Sequence, residues 1–119
     1  MHELSIAQSI LDIVCRHLPK GADARVKTIR LTIGEMAGVV TDSLTFCFSA
    51  ISEGTPAQGA ALEIVHVPLT VRCRACGRDS AITPEAFICP ACGGRELMVT
   101  GGRELLVKEI ELHENGASP

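Results

Sequence analysis

The chain has 119 residues, with eleven Lys and Arg against fourteen Asp and Glu, a formal charge of −3. That length suits one domain with a modest core, and 46% hydrophobic with 21% charged residues is globular rather than disordered composition. No apolar run reaches the ~18 residues of a membrane span, and slight acidity with no Trp, no Tyr and three Phe argues against nucleic acid as a partner.

Apolar residues recur at helical spacing at Leu4, Ala7, Leu11, Val14 and Leu18, with Ile10 beside them, until Pro19 and Gly21 end the pattern. From Arg25 to Ile33 the period becomes two: Ile29, Leu31 and Ile33 share one face, and Thr28, Arg30 and Thr32 point away. Gly34 to Gly38 reads as a turn, in which Glu35 is a surface carboxylate. Thr41 or Asp42 is the expected N-cap of a second helix that buries Leu44, Cys47, Phe48 and Ile51 and stops before Gly54 and Pro56. Ala61 to Val67 forms a second strand and Glu104 to Leu112 a third, followed by a polar tail from Glu114.

Between these strands, Cys73-Arg74-Ala75-Cys76-Gly77 and Cys89-Pro90-Ala91-Cys92-Gly93 are near copies. Two residues between cysteines let one tight turn aim both sulfurs at a single ion, and the following Gly accepts the positive φ that turns backbone N–H groups toward them. Four thiolates make the closed tetrahedral shell of a structural zinc, with iron–sulfur or rubredoxin-type iron as the alternative. Zn²⁺ with four thiolates carries −2, and residues 71–95 hold Arg72, Arg74, Arg78 and Arg95 against Asp79 and Glu85, an excess of +2 that compensates it. The other cysteines, Cys15 and Cys47, are read as core residues; His17, two positions from Cys15, points to a different helix face and makes no catalytic pair with it.

Strands on either side of the cysteine module imply an insertion. The expected architecture is α+β: two helices packed on a three-stranded sheet over residues 1–69 and 97–119, with a zinc-ribbon module of rubredoxin-like knuckles at 70–96. At the amino end, the Met1 amine, the His2 amide nitrogen and the His2 imidazole can close fused chelate rings on one metal, and the Glu3 amide nitrogen can complete a plane of four nitrogens. Such a plane suits Ni(II) or Cu(II). His17, His66 and His113 read as surface or structural residues. No Ser/His/Asp set, phosphate-cradling Gly loop or carboxylate pair marks an enzyme, and the start lacks the basic-then-apolar profile of a signal peptide, so a cytoplasmic protein is expected.

The opening Met1-His2-Glu3-Leu4-Ser5-Ile6, then Ile33-Gly34-Glu35-Met36-Ala37-Gly38-Val39, Ser43-Leu44-Thr45-Phe46, both cysteine knuckles and Gly102-Arg103-Glu104-Leu105 together resemble the HypA/HybF family of hydrogenase maturation factors over about residues 1–112. The resemblance implies a nickel metallochaperone without turnover, delivering transiently held Ni²⁺ to the large-subunit precursor of [NiFe]-hydrogenase with the GTPase HypB. It places the nickel ligand at His2, helped by the Met1 and Glu3 nitrogens, and one zinc on Cys73, Cys76, Cys89 and Cys92, and it leaves a homodimer and urease as a second client open. Val40-Thr41 departs from the Pro-Glu or similar pair often found before the second helix. The competing reading is a zinc-ribbon interaction module, a nucleic-acid or protein adaptor without nickel.

Overall fold

A computed structural model describes residues 2–19 and 23–113. The elements run α1 (His2–Arg16), β1 (Val26–Gly34), a 3-10 turn (Glu35–Ala37), α2 (Thr41–Ile51), β2 (Ala61–Val67), β3 (Leu69–Cys73), β4 (Asp79–Ile82), a second 3-10 turn (Pro84–Ala86), β5 (Leu97–Gly101) and β6 (Leu105–Leu112). They form two three-stranded sheets, β2-β1-β6 and β4-β3-β5. The chain divides into two compact units: Met1–Leu31, Val39–Ile64 and Val107–Pro119 in the first, Thr32–Gly38 and Val65–Leu106 in the second.

The two expected helices and the expected three-stranded sheet are present, and the first unit is built on them. α1 packs along α2 through Ala7, Ile10 and Val14, which are buried, against α2's buried Leu44 and Phe48. This line differs from the one read off the sequence. At 3.6 residues per turn the stripe 7-10-14 runs to one side of 4-11-18, so Leu11 and Leu18 are half-buried and Leu4 is 53% exposed. Cys15 falls outside the stripe and is exposed, so its core assignment is wrong; Cys47 is half-buried. On β1, Ile29, Leu31 and Ile33 are buried as the alternation requires, but Thr28, expected to face solvent, is buried as well. Lys27 stays in water, 3.9 Å from Glu111.

The residue preceding α2 is Val40, not Thr41 or Asp42, and valine has no side-chain acceptor for the orphan N–H groups of the first turn. Its own N–H instead donates to Glu3 Oε2 at 3.1 Å, a carboxylate from the first turn of α1. Asp42 lies in the first turn of α2, where a negative charge suits the helix dipole. Arg30, in the middle of β1, is the sheet's cross-link. Its Nε donates to Glu63 on β2 at 2.9 Å, and Nη1 and Nη2 donate to Glu109 and Glu111 on β6 at 3.2 Å each. These groups are largely exposed, so their chief effect is to favour one strand register rather than to add much stability.

The second unit contains the sheet that sequence periodicity missed. β3 pairs antiparallel with β4 (Leu69↔Ile82 to Arg72↔Asp79) and with β5 (Cys73↔Leu97, Arg72↔Met98, Val71↔Val99), with a bulge at Thr70/Val71. Leu69, Val71 and Cys73 alternate inward and are at most 1% exposed, and Arg72 on the other face bonds Asp79 through both carboxylate oxygens. The Gly34 turn is knitted into this unit by backbone contacts: Gly34 N–H donates to Glu104 O and Met36 N–H to Gly102 O, both at 2.7 Å. Glu35, read as a bare surface carboxylate, accepts the Leu69 N–H at 3.2 Å. A Cβ on Gly34 would lie 2.1 Å from the carbonyl carbon and oxygen of Gly102. Gly34→Ala is therefore expected to lower stability by about 2 kcal/mol or more, because backbone and not a flexible side chain has to move. A denaturant midpoint within error of the parent's would contradict this.

Candidate metal centre

Each C-x-x-C sequence folds into the same small device. Gly77 N–H bonds back to Cys73 O and Gly93 N–H to Cys89 O, both at 2.8 Å, with φ of +77° and +78° at the two glycines. That left-handed turn is the one the glycines allow, and it points successive N–H groups at the first sulfur of each knuckle. The Cys73 strand end is held by Cys73 N–H to Arg78 O and Arg74 N–H to Glu96 O, and the second knuckle is closed by Cys89 N–H to Gly94 O.

These turns bring the ligand atoms of Cys73, Cys76, Cys89 and Cys92 within 4.8 Å of one another. Cys73 Sγ lies 3.6 Å from Cys92 Sγ, and Cys76 Sγ 3.7 Å from Cys89 Sγ. Such spacings match the edges of a tetrahedron of thiolates at ~2.3 Å from a central ion. Cys73 and Cys89 are buried, while Cys76 and Cys92 are exposed.

The electrostatics of the cluster favour a cation at its centre. The Cys89 thiol is held down to about 6 by the N–H groups of Cys92 and Ala91, aided by hydrogen bonds from Cys76 and Cys92. Cys73 is lowered in the same way, by the N–H groups of Cys76 and Ala75. For Cys92 the Gly94 N–H works downward, but the adjoining sulfurs of Cys73 and Cys89 win and push it up to about 12. Two sulfurs primed to ionise beside one that resists are what negative charges at this separation produce; a divalent ion reverses the penalty and favours all four thiolates.

Gly94 belongs to the centre although no motif singled it out. Its N–H donates to Cys92 Sγ at 3.4 Å, and a Cβ there would stand 3.2 Å from Cys92 Sγ and 3.3 Å from Cys73 Sγ. The signal in the sequence is the doubled glycine after the second knuckle. The four sulfurs leave no open coordination position, so the centre suits structure rather than turnover.

The histidines do not join it. Among the described residues, the four cysteines are the one group of three or more His, Cys, Asp or Glu side chains close enough to share an ion. His17 Nδ1 lies 2.8 Å from Ile13 O at the end of α1, and His66 and His113 are exposed. The predicted amino-terminal site lies partly outside the described residues: Met1 does, and so does the side chain of His2. The backbone of His2 and Glu3 is the first turn of α1. Amides there have no acceptor within the helix, so their nitrogens are not committed to its hydrogen-bond ladder.

Residues 1–112 match the family model described as "Hydrogenase/urease nickel incorporation, metallochaperone, hypA". Hydrogenase maturation factor HypA 2 of Bradyrhizobium diazoefficiens is 43% identical over 112 residues, covering 94% of this chain and 99% of its own. Hydrogenase maturation factor HypA of Albidiferax ferrireducens is 41% identical with the same coverage. The fold is similar to the solution structure of the Ni metallochaperone HypA from Helicobacter pylori, with a TM-score of 0.63 at 21% identity over 94% of this chain and 97% of that one. A second solution structure, of a HypA protein, gives a TM-score of 0.66 at 22% identity over 95% and 97%. No described helix is long and apolar enough to cross a membrane.

Proposed function

The chain belongs to the HypA family of hydrogenase and urease nickel-incorporation factors, and from that premise we propose that it carries Ni²⁺ on its amino terminus and releases it to the maturing large subunit of a [NiFe]-hydrogenase. In this reading the Met1 amine, the His2 amide and imidazole nitrogens and the Glu3 amide nitrogen form a square plane around the cargo ion. The observation that carries the reading is the match over residues 1–112, which begins at the Met-His-Glu terminus itself. The position of His2 and Glu3 in the first turn of α1, whose amides stand outside the helix's own i to i−4 ladder, supports it.

A single Zn²⁺ on Cys73, Cys76, Cys89 and Cys92 supplies folding free energy to the second unit. The GTPase HypB and the hydrogenase large-subunit precursor are the partners, and the cytoplasm is the compartment, since reduced thiolates and an apo-hydrogenase both require it. The protein holds and hands over a metal and turns over no substrate.

Isothermal titration of nickel into the untagged protein, His2→Ala and a variant with residues added before Met1 tests the proposal. The parent is expected to bind one nickel with the yellow, diamagnetic spectrum of a four-nitrogen plane. The extended variant, which lacks the free amine at Met1, and His2→Ala should each lose affinity by roughly 100-fold or more, as loss of a ligand does elsewhere. Equal stoichiometry and affinity across the three would exclude the terminus as the site.

A further inference from the structure

Glu3 stands at the amino end of the stripe that α1 turns toward α2. It precedes Ala7 by four residues and Ile10 by seven, the spacings that share a helix face, and Ala7 and Ile10 are buried. Its side chain therefore leans to α2, where Oε2 accepts the Val40 N–H at 3.1 Å. The Val40 N–H takes that acceptor from another helix, because the residue three positions on is Ser43 and not the Glu or Gln of a capping box. The carboxylate also sits at the positive end of the α2 dipole, which strengthens the bond. The result is a tie between Glu3 and a helix start thirty-seven positions away.

We propose that the Glu3 carboxylate is a positioning residue for nickel: by bonding the Val40 N–H it anchors the first turn of α1 and with it the backbone nitrogens of His2 and Glu3. This rests on the amino-terminal nickel reading and assigns the Glu3 side chain a role separate from that of its amide nitrogen. Chain termini fray unless tied down, and a ligand set built from successive backbone nitrogens loses more from fraying than one built on long side chains. The tie supplies the order before the metal arrives, so less conformational freedom is lost on binding.

Three variants separate this from a simple helix cap. Glu3→Ala removes the acceptor, Glu3→Gln keeps an oxygen in its place without the charge, and Val40→Pro removes the donor without touching the ligand peptide. Val40 has φ −86° and ψ 108°, which proline tolerates, and its carbonyl remains to accept the Leu44 N–H. In the nickel-free protein, amide exchange at Val40 should accelerate roughly tenfold or more in Glu3→Ala. Nickel affinity should fall roughly tenfold in Glu3→Ala and in Val40→Pro with the four-nitrogen spectrum unchanged, Glu3→Gln should recover part of it, and Glu3→Ala combined with Val40→Pro should be no weaker than either alone. Additive losses, a loss in Glu3→Ala without one in Val40→Pro, or lowered thermal stability with parental nickel affinity would each overturn the proposal. Failure of the nickel reading is distinguishable, because there His2→Ala and the extended terminus bind as the parent does.

Discussion

Removing the ion from the four-cysteine centre is expected to melt the β4-β3-β5 sheet. The buried side of that sheet consists of Leu69, Val71 and Cys73, with Cys89 from the second knuckle, and two of these four residues are metal ligands. So small an apolar set cannot offset the conformational entropy of ordering Val65–Leu106, whereas a structural zinc contributes on the order of 10–16 kcal/mol of apparent binding free energy. Chelation, or Cys89→Ser, should abolish amide protection at Val71 and Arg72 and at Val99 on β5. Persistence of that protection after complete metal removal would show that the sheet stands without an ion.

Acid should act in the same direction. Cys89 is lowered in the folded state to about 6 from the ordinary thiol value of 9.0. A depressed value means that its contribution is full above 9.0, shrinks as pH falls, and is gone below about 6. A bound divalent cation drives the thiol lower still, so loss of metal and loss of the sheet should coincide at acid pH.

Nickel affinity is expected to fall by more than ~10³-fold between about pH 7.5 and pH 6.0, the largest effect that a solution condition should have on the cargo site. The sign follows from the protons that must leave. Free imidazole titrates near ~6.5 and a terminal amine near ~7.7–8.0, and neither ligates when protonated. The amide nitrogens of His2 and Glu3 lose protons at any pH in this range when they bind, so each adds to the dependence. Acidification therefore favours release, and His2→Ala should show a shallower slope because one titrating ligand is gone. Titrations in non-coordinating buffers across that range provide the measurement. A flat profile would require a ligand set without amine, imidazole or amide nitrogens.

The cysteine centre and the proposed amino-terminal site were legible to different degrees. The cysteine centre was readable because the constraint is local: a C-x-A-C-G unit makes its own turn from five consecutive residues, and its duplication specifies four sulfurs. The long-range part, that the sulfurs of Cys73 and Cys92 meet at 3.6 Å, depends on β3 and β5 pairing beside them. Those strands are weakly marked in the sequence although Leu69-Thr70-Val71-Arg72-Cys73 alternates plainly, because five residues ending in a metal ligand resemble a loop as much as a strand. The role of Gly94 is long-range as well: its closeness to two sulfurs exists once both knuckles are in place.

Helix positions, the extent of the α-packed sheet, and the residue types able to ligate each metal were properties of short windows of chain, governed by periodicity, turn chemistry and ligand softness. They needed no folded context. Which line of α1 became buried, why Thr28 lies inside while Cys15 lies outside, how Arg30 reaches carboxylates on two neighbouring strands, and how Glu3 comes to accept the Val40 N–H at the start of α2 were settled by distant segments packing together. The free energy of a side chain depends on what covers it, and residues far apart in the chain supply that cover.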